Sequence, residues 1–251
     1  MLAQAAHMRG LTIRATDGDF GEVDDCYFDG SDWIIRYIVV EAGAGPSRRQ
    51  VLIPPAAVQD TDWNGGVLHV GLARDQIETS TDVATDKAAS RRLEKRLRQH
   101  YGWPIGGAPK FGSIDASPSG QSLLMSAQKG DRGGDNLADE LIGDPHLRSS
   151  REVTGYHVHA SDGEIGRVED LVVDIRLWTI RFVVVDTRDW LAGRRVLVAP
   201  NCFRLVDWSK RMVRLDLTRD AVRNSPGYTP SQPIDEMYAA QLHAYYARPV
   251  R

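Results

Sequence analysis

Cysteine is scarce in this chain: Cys26 and Cys202 are the only two. So low a count argues against a disulfide framework of the extracellular kind, and the two fall at non-equivalent places in the repeat described below. Both are expected to be small buried residues with reduced thiols. Long apolar runs are also missing. The apolar runs are strand-sized, such as IVV at 38–40, LVV at 171–173 and FVVV at 182–185, against the roughly 18 residues a membrane-crossing helix needs. The opening MLAQAAHMRG is too short and polar for a secretory leader. The expected location is the cytoplasm, at most peripheral to the inner membrane. There is no excess of base: the formal net charge is −3, which gives no global field for nucleic acid. GxSxG, a P-loop and a strand-following GxGxxG are absent as well, and with them the usual signatures of serine hydrolases and nucleotide enzymes. No cofactor is expected.

What is present is a repeat. A shift of 145 positions lays the chain on itself without a gap. Gly10 meets Gly155, and Asp17-Gly18 meets Asp162-Gly163. Gly21, Val23, Asp25 and Asp29 meet Gly166, Val168, Asp170 and Asp174. WIIRYIVVE (33–41) meets WTIRFVVVD (178–186), and RQVLIPP (49–55) meets RRVLVAP (194–200). Such a register means two copies of one folded unit, each of about 95 residues, a normal small-domain size. The expected domains are 8–104 and 151–251. Residues 105–150, rich in Gly, Ser, Pro and Asp, read as linker. Within the linker, SLLMSAQ (122–128) has the composition of a short strand and LADELIG (137–143) that of a helical turn.

Each copy reads as short strands punctuated by turn residues. Asp17-Gly18 and Asn64-Gly65-Gly66 are hairpin signals; WSKR (208–211) takes the second place in copy two. In WIIRYIVVE the period of two puts Trp33, Ile35, Tyr37 and Val39 on one face and Ile34, Arg36, Ile38 and Val40 on the other. Even strand spacing with glycine turns predicts a small closed barrel per copy. Leu93, Leu97 and Tyr101, and their counterparts Tyr238, Leu242 and Tyr246, recur at helical spacing, which predicts a C-terminal helix within 85–104 and another within 230–249. The predicted fold is therefore mainly β: two tandem small β-barrels, each followed by an α-helix.

The acidic cluster ASDGEIGRVEDLVVD (160–174), nearly copied at 15–29, invites a calcium reading. An EF-hand loop counted from Asp17 or Asp162 needs Gly at its sixth position and Glu at its twelfth. Those positions hold Glu22 and Phe28 in copy one, Arg167 and Val173 in copy two, so both fail alike. Acid–base catalysis needs carboxylates that converge, and adjacent strand residues such as Asp24 and Asp25 point apart. A structural reading does better. Val23 and Cys26, like Val168 and Leu171, share a side only if a β-bulge intervenes at 24–25 and at 169–170. Asp25 and Asp170 are then expected to pair with Arg36 and Arg181 on the next strand, with Gly21 and Gly166 as structural glycines.

Three further features bear on function. His157 and His159 share a strand face, but no third metal ligand follows, and no metal is expected. Residues 86–98 carry Lys87, Arg91, Arg92, Lys95, Arg96 and Arg98 against Asp86 and Glu94, a local basic helix suited to RNA or another anionic partner. The more common state of such a run is a solvated face. In TRDWLAGRRV (187–196), Trp190 and Leu191 beside Arg194 and Arg195 have the composition of an interface hot spot. The alternative for Trp190 is to fold back and fill the mouth of the barrel.

The repeated pattern resembles the PRC-barrel family. The residues that carry the resemblance are DGDFGEVDDCYFD, WIIRYIVVE and RQVLIPP in copy one. In copy two they are DGEIGRVEDLVVD, WTIRFVVVDTRDWLAGRRVLVAP and LTRDAVRNSP. It covers about three quarters of the chain, and copy two fits better. It implies a β-barrel adaptor without enzymatic activity, similar to the cytoplasmic domain of the photosynthetic reaction-centre H subunit or to the C-terminal domain of a ribosome maturation factor. The expected function is a non-catalytic soluble interaction protein recruited to a membrane complex of photosynthetic or electron-transfer type. RNA or ribosome association through the basic helix is the alternative, and an enzyme with a site between the barrels is the least expected. The repeat also allows the two barrels to face each other as a pseudo-dimer, or the chain to form homo-oligomers.

Overall fold

The computed structural model describes residues 1–42, 49–80, 100, 147–187, 190, 194–229 and 234–246. Repeat one contains β1 (Leu2–Gln4), α1 (Ala5–Met8), β2 (Thr12–Ala15), β3 (Gly18–Asp29), β4 (Ile35–Ala42), β5 (Arg49–Ile53), β6 (Val58–Asp62), β7 (Val67–Val70) and α2 (Arg74–Glu78). Repeat two follows the same plan. It has β8 (Leu147–Ser149), α3 (Ser150–Val153), β9 (His157–Ala160), β10 (Gly163–Asp174), β11 (Thr179–Asp186), β12 (Arg195–Val198), β13 (Phe203–Asp207), β14 (Met212–Leu215), α4 (Arg219–Arg223) and β15 (Gly227–Tyr228). A final helix, α5 (Glu236–Tyr246), closes the described chain. The predicted strands at 122–128, the turn at 137–143 and the basic helix at 86–98 lie outside the described residues.

The molecule is mainly β and has two sheets. One runs β5-β4-β3-β2-β7-β6 and the other β13-β14-β9-β10-β11-β12-β15. In each, a parallel pair (β2 with β7, β9 with β14) joins the hairpins into one continuous sheet. No ladder among the described residues joins β5 to β6 or β12 to β13, so the sheets are open rather than closed by hydrogen bonds.

The hairpins form where the sequence marks them. Asp17 and Asp162 sit in the β2–β3 and β9–β10 turns, and each carboxylate accepts the backbone N–H of the residue that opens the facing short helix, Arg74 (2.8 Å) and Arg219 (2.7 Å). The β3–β4 register slips between Val23 and Asp25, and the β10–β11 register between Val168 and Asp170. These are the bulges required by the spacing of Val23 and Cys26. A second slip, at Tyr27/Phe28 and Val172/Val173, has no mark in the apolar pattern. It shifts the alternation in β4, so that Ile35, Ile38 and Val40 all enter the core while Val39 is buried on the other face. Trp33 and Trp178 do not belong to that alternation, because both have left-handed backbone, φ 62° and 50°.

The apolar residues of both repeats make one continuous core. Ile13, Phe28, Ile38 and Leu68 of the first and Tyr156, Ile165, Val183 and Val213 of the second are completely buried in it. The opposite face of repeat two is covered by α5, whose Ala239 and Leu242 pack on Val172, Phe182, Val184 and Leu197. That second cover explains why β10–β12 read as unbroken apolar runs.

Candidate interaction groove at the repeat junction

The two repeats meet about a pseudo-twofold axis. Its centre is an antiparallel bridge between Ile34 and Thr179, equivalent positions in the repeat. The Ile35 N–H donates to the Trp178 carbonyl (2.7 Å), and the Ile180 N–H donates to the Trp33 carbonyl (2.8 Å). The positive φ of the two tryptophans turns each chain so that this exchange can form.

Further out the repeats trade their first strands. β1 of repeat one pairs with β10 of repeat two, Leu2 opposite Asp174. β8 at the head of repeat two pairs with β3 of repeat one, Leu147 opposite Asp29. The segment read as linker thus ends in structure, and its last four residues belong to this junction.

The bulge carboxylates lock the exchange. Asp25 is 6% exposed and accepts from the Ser149 and Ser150 hydroxyls, from the Arg151 N–H (3.3 Å) and from the Cys26 N–H (2.7 Å). Asp170, also 6% exposed, accepts from the Leu171 N–H (2.8 Å) and the Ala6 N–H (3.2 Å). Each therefore satisfies an orphan donor at the first turn of the other repeat's helix, α3 or α1. Burial raises the Asp170 carboxyl above its ordinary pKa despite these donors and the nearby Arg9 and His7.

The expected Asp25–Arg36 and Asp170–Arg181 pairs are therefore replaced. The second bulge turns Arg36 toward Asp29 (3.2 Å) and Asp32 (2.5 Å), and Arg181 donates to His243 Nε2 (3.3 Å). Burial, then the Arg181 charge, lowers the His243 pKa, which keeps the ring an acceptor. Gly21 and Gly166 lie where the neighbouring strand's backbone approaches closely. A Cβ at Gly166 would lie 1.9 Å from the Asp186 carbonyl oxygen and one at Gly21 2.3 Å from that of Glu41.

The remaining acidic residues are also committed. Asp29 holds Ser31 and Arg36; burial opposes its ionisation, but the Ser31 donors and Arg36 keep its pKa below the ordinary value. Asp24 pairs with Arg151 (2.7 Å), Glu164 with His157 (2.7 Å), and Asp174 accepts the Arg176 N–H (3.0 Å). No cluster of three His, Cys, Asp or Glu side chains suited to a metal occurs among the described residues. Both cysteines are free and buried, and burial pushes the Cys202 thiol up to about 11, so neither is an activated nucleophile.

The loop proposed from sequence as a contact is largely occupied. Trp190 is half-buried against the core, with the guanidinium of Arg219 4.8 Å and that of Arg223 5.3 Å from its ring centre. Arg194 donates to the Arg223 and Ser225 carbonyls, and Arg195 pairs with Glu169 (2.7 Å). Leu191 lies outside the described residues, as do Lys87, Arg91, Arg92, Lys95, Arg96 and Arg98.

Among the described residues, an open concave surface lies beside the pseudo-axis. A groove of about 680 Å³ is lined by Asp32, Trp33, Arg181, Asn201, Phe203, Trp208 and His243, with Leu205 at its rim. Trp33 meets Phe203 edge-on (5.2 Å between centroids) and stacks on Phe28 (5.3 Å), with Trp208 at 6.4 Å. Arg148, from the exchanged β8, lies 4.7 Å from the centre of the Trp208 ring. On the other side of the axis, Val58 stands where Phe203 does and Val173 where Phe28 does. The groove has no periodic mark in the sequence, because its aromatics come from both repeats and converge only through the junction. No family model matches the chain, and no curated protein matches it.

Proposed function

We propose that the chain is a non-catalytic adaptor of two tandem PRC-barrel-like repeats, and that it binds a segment of a protein partner in the groove at the repeat junction. The observation that carries this reading is the contrast between the two sides of the pseudo-axis. The internal contacts (arm exchange, bulge carboxylates, central bridge) are matched in both repeats, whereas two aromatics of the groove cluster, Phe203 and Phe28, are replaced by Val58 and Val173 at the equivalent positions across the axis. Matched contacts serve the fold; an unmatched aromatic cluster rimmed by arginine has the composition of a binding hot spot. The carboxylates that first suggested chemistry are engaged as turn anchors, caps and ion pairs, which supports a non-enzymatic role. No helix among the described residues is long and apolar enough to cross a membrane. A membrane complex of photosynthetic or electron-transfer type, approached from the cytoplasm, is the partner that the PRC-barrel resemblance favours.

The test is capture from native lysate at low and high salt with the full chain, its Asn201→Arg variant and a Trp190→Ala variant. Asn201 is exposed and lines the groove, so arginine there obstructs the cleft without touching the core. The reading expects a partner retained at both salts by the wild type and by Trp190→Ala, and reduced about tenfold by Asn201→Arg, since central contacts dominate interface energy. Equal capture by all three proteins would count against the groove.

A further inference from the structure

Adjoining that groove, and sharing Arg204 and Leu205 with it, repeat two carries a second cavity of about 530 Å³ where β13, β14 and β9 run side by side. Its lining includes His159, Ser161, Arg204, Leu205, Met212 and Arg214, and no carboxylate. The ladder explains the grouping. Arg214 stands opposite Leu205 on one side and His159 on the other. The register of β13 slips between Phe203 and Leu205, and this bulge leaves the consecutive residues Arg204 and Leu205 both exposed at the same cavity. Bulges re-aim side chains in this way.

The charge here is unspent. Neither Arg204 nor Arg214 makes an ion pair among the described residues. The nearest acid in the ladder, Glu164 opposite His159, is held by His157 at 2.7 Å. Repeat one shows what the same surface looks like without this feature. There Gln59, Asp60 and His69 take the places of Arg204, Leu205 and Arg214, and Arg14, in the place of His159, is tied to Asp19 at 2.7 Å. The core beneath is equivalent in the two repeats, so the cationic pocket is not a requirement of the fold.

We infer that this cavity binds an organic phosphate monoester. Its phosphoryl oxygens would accept from Arg204, Arg214 and the Ser161 hydroxyl, and its apolar body would lie on Leu205 and Met212. Two guanidinium groups suit a phosphoryl group because each offers paired donors to its oxygens, and Leu205 and Met212 offer apolar surface to an uncharged organic body.

Titration calorimetry of the full chain with phenyl phosphate, at fixed ionic strength, tests the site. Wild type is expected to bind phenyl phosphate more tightly than inorganic phosphate and far more tightly than benzoate. Arg204→Ala and Arg214→Ala are each expected to weaken it about tenfold, as for loss of one charged hydrogen bond. Both side chains are exposed, and thermal melts check that the variants stay folded. Arg214 does not line the groove, so Arg214→Ala should retain the protein partner as wild type does while losing affinity for phenyl phosphate, which separates failure of this site from failure of the adaptor reading. Vesicles of phosphatidylcholine with and without phosphatidic acid identify the source. Co-sedimentation only with phosphatidic acid, lost in Arg214→Ala, supports the site with a lipid headgroup as ligand; phenyl phosphate binding without co-sedimentation supports it with a soluble one. Heat equal to that of benzoate, or binding unchanged in both arginine variants, would overturn the proposal.

Discussion

Asp170 shows how one side chain can serve the fold at a cost set by pH. Its carboxyl is buried and its pKa raised by that burial. A group whose folded pKa exceeds its unfolded value, about 3.9 for Asp, contributes stability that is complete below the unfolded value and is lost as pH rises through the folded one. Asp170→Asn keeps an acceptor for the Ala6 and Leu171 N–H groups and removes the titration. Its denaturation midpoint should therefore gain on that of wild type as pH is raised from about 4 to about 7. A difference that is flat with pH would show that the carboxyl is not perturbed. Asp25 and Asp170 also mark the limit of reading by neighbours. The bulges at both positions were legible, since Val23 and Cys26 cannot otherwise share a face. Their partners were not, because Ser149, Ser150 and Arg151 lie more than a hundred positions from Asp25, while Arg36 is adjacent on the next strand.

At the level of elements, the long strands β3 and β10 organise each repeat. Each is bent by bulges and crossed closely by the following strand, and glycine is the residue that permits the crossing. Gly166 combines φ 148° with a carbonyl oxygen 1.9 Å from where a Cβ would stand. Gly166→Ala should cost about 2–4 kcal/mol, through backbone strain and displacement of β11, measured by urea unfolding; a loss under about 0.5 kcal/mol, the range of an ordinary surface change, would contradict the close approach. The hairpins, bulges and α5 were readable from turn residues and apolar spacing. The exchanged strands β1 and β8 were not: LAQ and LRS are three residues each, too short to show any period. The closed barrels expected from strand spacing are, among the described residues, sheets with no ladder between the end strands β5 and β6. Strand spacing counts strands and leaves the last ladder unspecified.

The whole molecule is two copies of one unit whose first strands have changed places. This makes the repeat a structural device as well as an evolutionary one: each copy completes the long strand and caps the first helix of the other. The arrangement leaves the surfaces free to differ, and they do, with an aromatic groove at the junction and a cationic pocket on repeat two. The sequence shift of 145 positions revealed the two copies at once. Their union depended on Trp33, Trp178 and the arms, whose conformations are set by contacts between repeats and are invisible within either.

The most direct test of that union is to place a protease site within residues 105–146, cut the folded chain and pass the product through size-exclusion chromatography. If the repeats are joined by exchanged strands and reciprocal caps, the two fragments will co-elute at the size of the uncut protein, and an Asp25→Ala, Asp170→Ala double variant will loosen them. If the cut chain separates into two folded fragments that elute independently, the repeats are self-sufficient and the exchange described here does not hold the protein together.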